Sequence, residues 1–364
     1  MQQSDDSERL ALVFDWGGTL MKVFPQYTGA MIDWPEVAAE DGTVEALASL
    51  RETYPMVVAT NALDSSSAQI QQALAMVGLS ENFRAVFTGR ELGGRKPELR
   101  FFRALESVLA QSPYAMVMTG DDYRADVLGA KAAGWRAVWY NARYQSPPGA
   151  IPLHDAEIHH MGDFPRALAR LRLPDVPTCL VWLESAGVPF NIILHLQLVS
   201  VISYHLALWL AEKGETVDPI LTHRGGLLHD IAKIESIRLT ETQGKYVDHA
   251  ELARDRLLER GQPELAEIAL RHMLYQSDDD PRKPQTWEQR LVHFADKLAE
   301  GGAVVSIARR AEALKTRYPQ SVPEIDAAQP FLVALQDEIC GILSITPEEM
   351  ISKLRESTGL RYEL

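Results

Sequence analysis

Between residues 10 and about 140 the chain alternates short, unbroken apolar runs with longer stretches of helical period. Leu10–Phe14, Met56–Thr60, Ala85–Thr88, Ala115–Thr119 and Ala137–Tyr140 read as buried strands, with amphipathic helices such as Ala68–Val77 and Glu98–Leu109 between them. That alternation predicts an α/β Rossmann-like fold, a parallel sheet with helices on both faces. Asn141–Pro152, rich in Pro, Ser and Gly, reads as a surface loop, after which Ala156–His159 adds an edge strand and Phe164–Leu171 a last helix. The prolines of Pro174–Pro177 mark a boundary, giving a first domain over 9–172, a linker over 173–179 and a second domain over 180–364. Beyond the linker, β-rich runs are few and helical periods extend to the C-terminus, so the second domain is predicted to be all-α. Its segments Phe331–Leu343 and Pro347–Leu354 can bury against the domain or against a second subunit in a homodimer.

Composition narrows this picture. A chain of 364 residues, 46% hydrophobic and 24% charged, suits two ordinary globular domains. Its net charge of −14 argues against extended nucleic-acid binding, which needs clustered Lys and Arg against the phosphates. Phe190–Leu210 is the most apolar stretch, but Asn191, His195, Gln197, Ser200, Ser203 and His205 interrupt it, and it reads as a buried core helix with no membrane role. Met1–Arg9 is polar and acidic, without the apolar core of a secretory leader. Cys179 and Cys340 are far apart and lack a zinc or disulfide spacing, so a reduced, cytoplasmic setting is expected.

The chemistry of the first half collects at strand ends. Val13–Phe14–Asp15 runs straight into Trp16–Gly17–Gly18–Thr19, placing a carboxylate where open α/β sheets put their sites. A second strand ends in Thr60–Asn61, Lys96–Pro97 follows Gly93–Gly94–Arg95, and a further strand ends in Gly120–Asp121–Asp122, with Asp126 beyond. These supply a candidate nucleophile, a hydroxyl, a cation and metal carboxylates. In this order, and with the runs GLSENFRAVFTGRELGGRKPELRFFRAL and GDDYRADVLGAKAAGW, they resemble the haloacid dehalogenase (HAD) superfamily over roughly residues 9–172. The resemblance implies Asp15 as the phosphorylated nucleophile, Thr60 and Lys96 as holders of the phosphoryl oxygens, and Mg²⁺ on Asp15, Asp121 and Asp126. One position departs. Family phosphatases carry an acid–base Asp two residues after the nucleophile, where this chain has Gly17. DWGGT is similar to the phosphonoacetaldehyde hydrolase branch, which also lacks that Asp but uses a cap-domain Lys. Here Lys22 is the only Lys between Asp15 and Thr60, an interval too short for a full helical cap. A near-capless domain is expected, either a weak or regulatory phosphatase or a non-catalytic phosphate-binding module.

Seven of the ten histidines follow residue 190. His195 falls in an apolar helical frame, and Leu227–Lys233 is another that carries His229 and Asp230. Asp248–His249, Arg271–His272 and His293–Phe294–Ala295–Asp296–Lys297 come next. Imidazole and carboxylate donors of this mix suit Fe, Mn, Co, Ni or Zn better than Ca²⁺. The spaced pattern, with LLHDIAK, HLQLV and FADKLAE, resembles the HD-domain superfamily over about residues 185–300. By that resemblance His195, His229, Asp230 and Asp296 would bind one ion, while His249 and His272 point to a dinuclear subgroup bridged by Asp230. Lys233, counted with Asp230 among the catalytic groups, and Lys297 would hold substrate phosphate, with Arg224 and Arg271 as weaker candidates. His205 and His293 read as packing or supporting groups, His223 as a loop or pocket-edge residue, and His154, His159 and His160 carry no metal spacing. The run Ser277–Asp280 reads as a solvated loop.

Two such ions can activate water and clamp both oxygens of a phosphoryl centre. The expected function is hydrolysis of a phosphate ester or anhydride of a nucleotide or other small phosphorylated metabolite. Three alternatives stay open: the first half as the working Asp-nucleophile phosphatase, the second as a mixed-valent di-iron oxygenase, and a non-catalytic effector-binding scaffold.

Overall fold

The computed structural model describes residues 10–275 and 277–359, so the expected domain start at Arg9 and the last five residues lie outside it. The described residues form two compact units, one of residues up to 145 with 153–172, the other of 146–152 with residues from 173 onward.

In the first unit, strands β1 (Ala11–Phe14), β2 (Met56–Thr60), β3 (Ala85–Thr88), β4 (Met116–Gly120), β5 (Arg136–Tyr140) and β6 (Ala156–Ile158) form one sheet in the order β3-β2-β1-β4-β5-β6. Every pair is parallel, and Phe14 at the end of β1 lies opposite Val58 on one side and Thr119 on the other. Helices α1 (Thr43–Ala48), α2 (Ser67–Met76), α3 (Leu99–Leu109), α4 (Gly129–Ala132) and α5 (Phe164–Arg170) complete the unit. Because both sheet faces are covered, β1, β2 and β4 are buried along their whole length. Alternation divides them between two cores: Phe14 packs with Val58 and Phe164 on one face, Val13 with Phe101 and Phe102 on the other. Local signals set the helix ends, as in α2, where Ser66 and Gln69 cap each other reciprocally. Between β1 and α1 the chain forms a flap, with isolated bridges Gly17–Met21 and Met21–Ala39 and a 3₁₀ turn at Met31–Asp33, in place of a helical cap.

The second unit contains α6 (Val176–Ser185), α7 (Phe190–Glu212), α8 (Pro219–Leu228), α9 (Lys233–Gln243), α10 (His249–Glu259), α11 (Pro263–Leu270), α12 (Trp287–Asp296), α13 (Ile307–Arg317), α14 (Val322–Leu343) and α15 (Pro347–Thr358). It also holds a small antiparallel hairpin, β7 (Ala299–Glu300) with β8 (Ala303–Val304), which the helical expectation did not include. Gly301 and Gly302, at φ 56° and 81°, supply the two left-handed residues of a tight hairpin turn. The flanking strands are too short to show alternation. The linker is also shorter than expected: only 173–175 are irregular, because Asp175 accepts a hydrogen bond from Thr178 N and Pro177 sits in the first turn of α6.

Helix α7 is long and apolar enough to cross a membrane by composition, yet 72% of its apolar window is buried inside the unit. Its neighbour α8 begins at Pro219 with Asp218 accepting from the amides of Ile220 and Leu221. The two helices meet at Gly226, where a Cβ would stand 2.7 Å from the Ser200 Cα. This close approach brings the C-terminal end of α8 to the His195 turn of α7.

Candidate active sites

The order in which strands are added to the sheet reverses between β1 and β4, and their carboxyl ends lead into Asp15 and Asp121, as the topology of open α/β sheets favours. Lys96 Nζ lies 2.6 Å from Asp15 Oδ1 and 2.6 Å from Asp126 Oδ1, deep in the unit. Asn61 pins the Lys96 backbone, accepting from its N–H and donating to its carbonyl, each at 2.9 Å. Thr19 Oγ1 donates to Asp121 Oδ1 and accepts from Asp121 N, both at 3.1 Å. The carboxylates of Asp15, Asp121 and Asp126 offer oxygens within 4.8 Å of one another. Thr60 is buried and lines the same 380 Å³ cavity, together with Trp16, Met31 and Trp34. All five expected residues of this half therefore meet in one place. Thr19 and Asn61 were visible within the quoted motifs without an assigned role. Trp34 comes from the flap, where no motif pointed to it.

Burial and the nearby Asp15 push the Asp121 carboxyl up to about 6. Burial also pushes Asp126 upward, against the pull of Lys96. Three acids against one ammonium leave negative charge that a divalent cation would balance, so the donor set fits Mg²⁺. Replacing Lys96 by Met strands two carboxylates in this buried cluster. Denaturant unfolding of the Lys96→Met protein is expected to show a loss of about 3–5 kcal/mol in the transition of the first unit.

In the second unit, contacts link all six expected ligands around one centre. His195 Nε2 lies 2.9 Å from Asp296 Oδ1, and His229 Nε2 lies 4.0 Å from Asp296 Oδ1 and 3.9 Å from Asp230 Oδ2. His249 Nε2 and His272 Nε2 approach Asp230 Oδ1 at 3.2 and 3.4 Å. Two triads, His195–His229–Asp296 and His229–Asp230–His272, each gather donor atoms within 4.8 Å. The local setting differs from the expected apolar helices. The His229–Asp230 pair occupies the break between α8 and α9, His249 opens α10, His272 follows α11, and Asp296 ends α12; only His195 sits inside a helix. Ends of several helices can converge on one point, and their last carbonyls lack intrahelical partners. Those carbonyls orient the imidazoles: His229 Nδ1 pairs with Gly226 O at 2.8 Å and His272 Nδ1 with Ala269 O at 2.6 Å. Each pairing assigns the proton to Nδ1 and leaves Nε2 as an acceptor facing the centre.

Burial drives His229 down to about 3, so its imidazole is neutral. Burial opposes ionisation of Asp230 and Asp296, but Lys233 and the histidines override it for Asp230, and Lys297 with His195 for Asp296, holding both well below the usual carboxylate range. His229 Nε2 and Asp230 Oδ1 are buried without a hydrogen-bond partner. Such atoms are costly in a protein interior, and a cation satisfies an imidazole lone pair and a carboxylate oxygen together. The residues present fit a metal centre.

The two lysines part company. Lys233 Nζ donates to Asp230 Oδ2 at 2.6 Å and lines a 550 Å³ cavity beside the centre. Lys297, expected at the substrate, is buried, and its ammonium is committed to Asp296 Oδ2 at 2.6 Å and His272 O at 2.8 Å. Its position supports ligands, since it follows Asp296 directly at the end of α12 and faces inward. Lys297→Met is therefore expected to weaken metal affinity about 10–100-fold while leaving KM little changed, as titration of metal-free protein would measure.

The weaker arginine candidates are structural. Arg224 is fully buried, donating to Pro174 O at 3.0 Å and contacting His223 Nδ1 at 2.7 Å. Arg271 bonds Glu267 and the carbonyls of Pro281 and Lys283, tying down the loop that contains the acidic run. His293 Nδ1 pairs with His272 O, and His205 packs between Tyr204 and Trp209. His154 belongs to a buried contact with Tyr123 and Glu157. Sequence reasoning missed Arg310, whose Nη2 stands 3.5 Å from Asp296 Oδ1. It lies beyond the last motif, and no local pattern marks it.

Comparison with known proteins agrees with both halves. The family model for haloacid dehalogenase-like hydrolases matches residues 2–140, and that for the HD domain matches residues 199–301, starting just past His195. The chain is 35% identical over 96 residues to a phosphoserine phosphatase of Thermus thermophilus, a match covering 26% of this chain and 39% of that protein. It is 32% identical over 164 residues to an uncharacterized protein of Methanocaldococcus jannaschii, covering 42% of this chain and 90% of that one. It is 31% identical over 111 residues to the pyrimidine 5′-nucleotidase YjjG of Escherichia coli, covering 30% of this chain and 48% of the nucleotidase. The matched region thus spans less than half the length of the phosphatase and of the nucleotidase. Sheet order, ligand geometry and family matches lead to one assignment: the chain belongs to the haloacid dehalogenase-like hydrolases through its N-terminal domain and to the HD-domain proteins through its C-terminal domain.

Proposed function

We propose that this protein is a metal-dependent phosphohydrolase whose working centre is the HD site, acting on a phosphate ester or anhydride of a small metabolite, with nucleotides the first class to test. The observation that carries the reading is the pair of buried atoms without a hydrogen-bond partner, His229 Nε2 and Asp230 Oδ1, within a ring of four imidazoles and two carboxylates. His195, His229, Asp230 and Asp296 would hold one transition-metal ion, and Asp230, His249 and His272 a second, of Fe, Mn, Co, Ni or Zn. Bound ions of this kind supply Lewis-acid activation of water and stabilise developing phosphoryl charge. The chain's own part is to keep the His229 imidazole neutral by burial, to keep the Asp230 and Asp296 carboxylates ionised beside Lys233 and Lys297, to fix the His229 and His272 tautomers through Gly226 O and Ala269 O, and to hold Lys233 at the cavity wall for the substrate's phosphate. Residues 9–172 and 180–364 would be the two domains, in a cytoplasmic protein whose two cysteines are free and buried. The named activities of the phosphatase and nucleotidase relatives support phosphate chemistry in the first domain.

A second reading has an observation of its own. Lys96 bridging Asp15 and Asp126, with Thr60 on the same cavity, is the arrangement a Mg²⁺-dependent Asp-nucleophile phosphatase requires, and Gly17 is what would keep its turnover low. Asp230→Asn and Asp15→Asn proteins, assayed for phosphate release on nucleotides and sugar phosphates with several divalent metals, in air and anaerobically, separate the two. Loss of the dominant activity only with Asp15→Asn overturns the HD reading. A strict need for O₂ overturns hydrolysis at that centre.

A further inference from the structure

The cavity beside the HD centre carries cations that ligand binding does not use. Arg310, in α13, is 7% exposed; its Nη2 lies 3.5 Å from Asp296 Oδ1, its Nη1 donates to Glu300 Oε2, and its Nε is buried without a hydrogen-bond partner. Arg317, two turns later on the same face of α13, is exposed and donates from Nη2 to Glu300 Oε1 at 2.6 Å. Glu300 therefore serves as one anion shared by two guanidiniums, presented at the cavity by the Gly301–Gly302 turn. Lys233 joins them on the cavity lining. Apart from the ligands Asp230, which takes Lys233, and Asp296, the two guanidiniums share the single carboxylate of Glu300. A buried guanidinium with an unused N–H, fixed on one side by a shared anion, is preorganised for an oxyanion that takes two donors at once. The lining also includes Ile192, Leu194 and Leu198 of α7, an apolar wall on which an uncharged organic group can rest.

We propose that Arg310 is a phosphate-binding residue of the HD cavity beside Lys233, with Arg317 as its outer partner and Glu300 as the internal anion whose place the phosphate oxygens take. The ligand is a phosphate monoester whose organic part lies on the α7 wall. This rests on the hydrolase reading of the HD site and adds a residue that recognises the substrate.

The test uses the full-length, metal-replete chain as wild type, Arg310→Ala, Arg310→Lys and Arg317→Ala, with metal content measured by elemental analysis and inorganic phosphate binding by calorimetry. Metal content is expected to stay constant. The phosphate Kd is expected to rise about tenfold or more in Arg310→Ala, and by less in Arg310→Lys, which keeps the charge but loses the fork, and in Arg317→Ala. For any ester turned over, KM should rise more than kcat falls. Arg317 is exposed, so its variant reports even where Arg310→Ala fails to fold. Unchanged phosphate binding in Arg310→Lys and Arg317→Ala overturns the proposal. So does loss of phosphate binding in step with loss of metal, which would make Arg310 a support for Asp296, and so does a metal-replete wild type that binds no phosphate. If wild type binds phosphate but releases none from any ester, the hydrolase reading fails, while the Arg310 titration still stands or falls by itself.

Discussion

Asp230→Asn protein will fold but will neither retain its metal nor release phosphate at the HD site. Asp230 is the group on which the centre turns: Oδ1 faces His249 and His272, Oδ2 takes Lys233, and His229 Nε2 stands 3.9 Å away. An amide at this position removes the anion that balances Lys233 and turns one donor atom into an N–H₂ that cannot ligate. Metal content should fall toward zero, and metal-dependent phosphate release by on the order of 10³-fold, the upper end of the scale seen when one preorganised electrostatic group is taken from an active site. A thermal measurement checks the same point without turnover. Adding Mn²⁺ or Co²⁺ to chelator-treated wild type should raise the unfolding temperature of the HD domain, because the ion binds only the folded site, and the rise should vanish in Asp230→Asn. Wild-type metal content in the variant would show that the centre does not depend on this carboxylate.

The second large effect is a gain. Gly17→Asp is expected to raise Mg²⁺-dependent phosphate release by the first domain by about 10²-fold, the lower end of what a positioned general acid–base group contributes. The site permits it. Gly17 is absent from the positive-φ residues, and a Cβ there meets only the Val23 Cγ2, at 3.3 Å, on a side chain that is 52% exposed and can give way. The new carboxyl would stand two residues beyond Asp15, on the cavity that Thr60 and Lys96 also line. Asp15→Asn in the same background should erase the gain, which ties it to this site and separates it from the HD centre. A folded Gly17→Asp protein with no gain would mean that the missing proton donor is not what limits this domain, and would favour a phosphate-binding module.

Much of the first site was legible because Asp15, Thr60 and Asp121 stand at strand ends or directly after them, and the motifs around Lys96 and Asp126 follow β3 and β4. Once apolar runs mark β1, β2 and β4, Asp15, Thr60 and Asp121 are carried to the same sheet edge by parallel pairing, whatever the side chains do. Trp34 could not be read this way. It reaches the cavity from an irregular flap, and a flap has no period from which to infer direction. In the second half the ligand types and spacing were equally plain, but their setting was not. Leu227–Lys233 has the apolar texture of one helix, while the chain turns at His229–Asp230 and restarts at Lys233.

By itself, the sequence determined the parallel sheet, the helical second domain, and the identity of the carboxylates and imidazoles available for chemistry, because burial periodicity and residue type are local properties. Tertiary structure decided which charges serve the ligands and which face the cavity. Lys297 and Arg310 both lie within contact of Asp296, yet one is sealed inward by His272 O and the other opens beside Glu300. That choice depends on how closely α7, α8 and α12 pack and on where a two-glycine turn directs one carboxylate. Both are set by contacts between residues far apart in the chain, which no local pattern records.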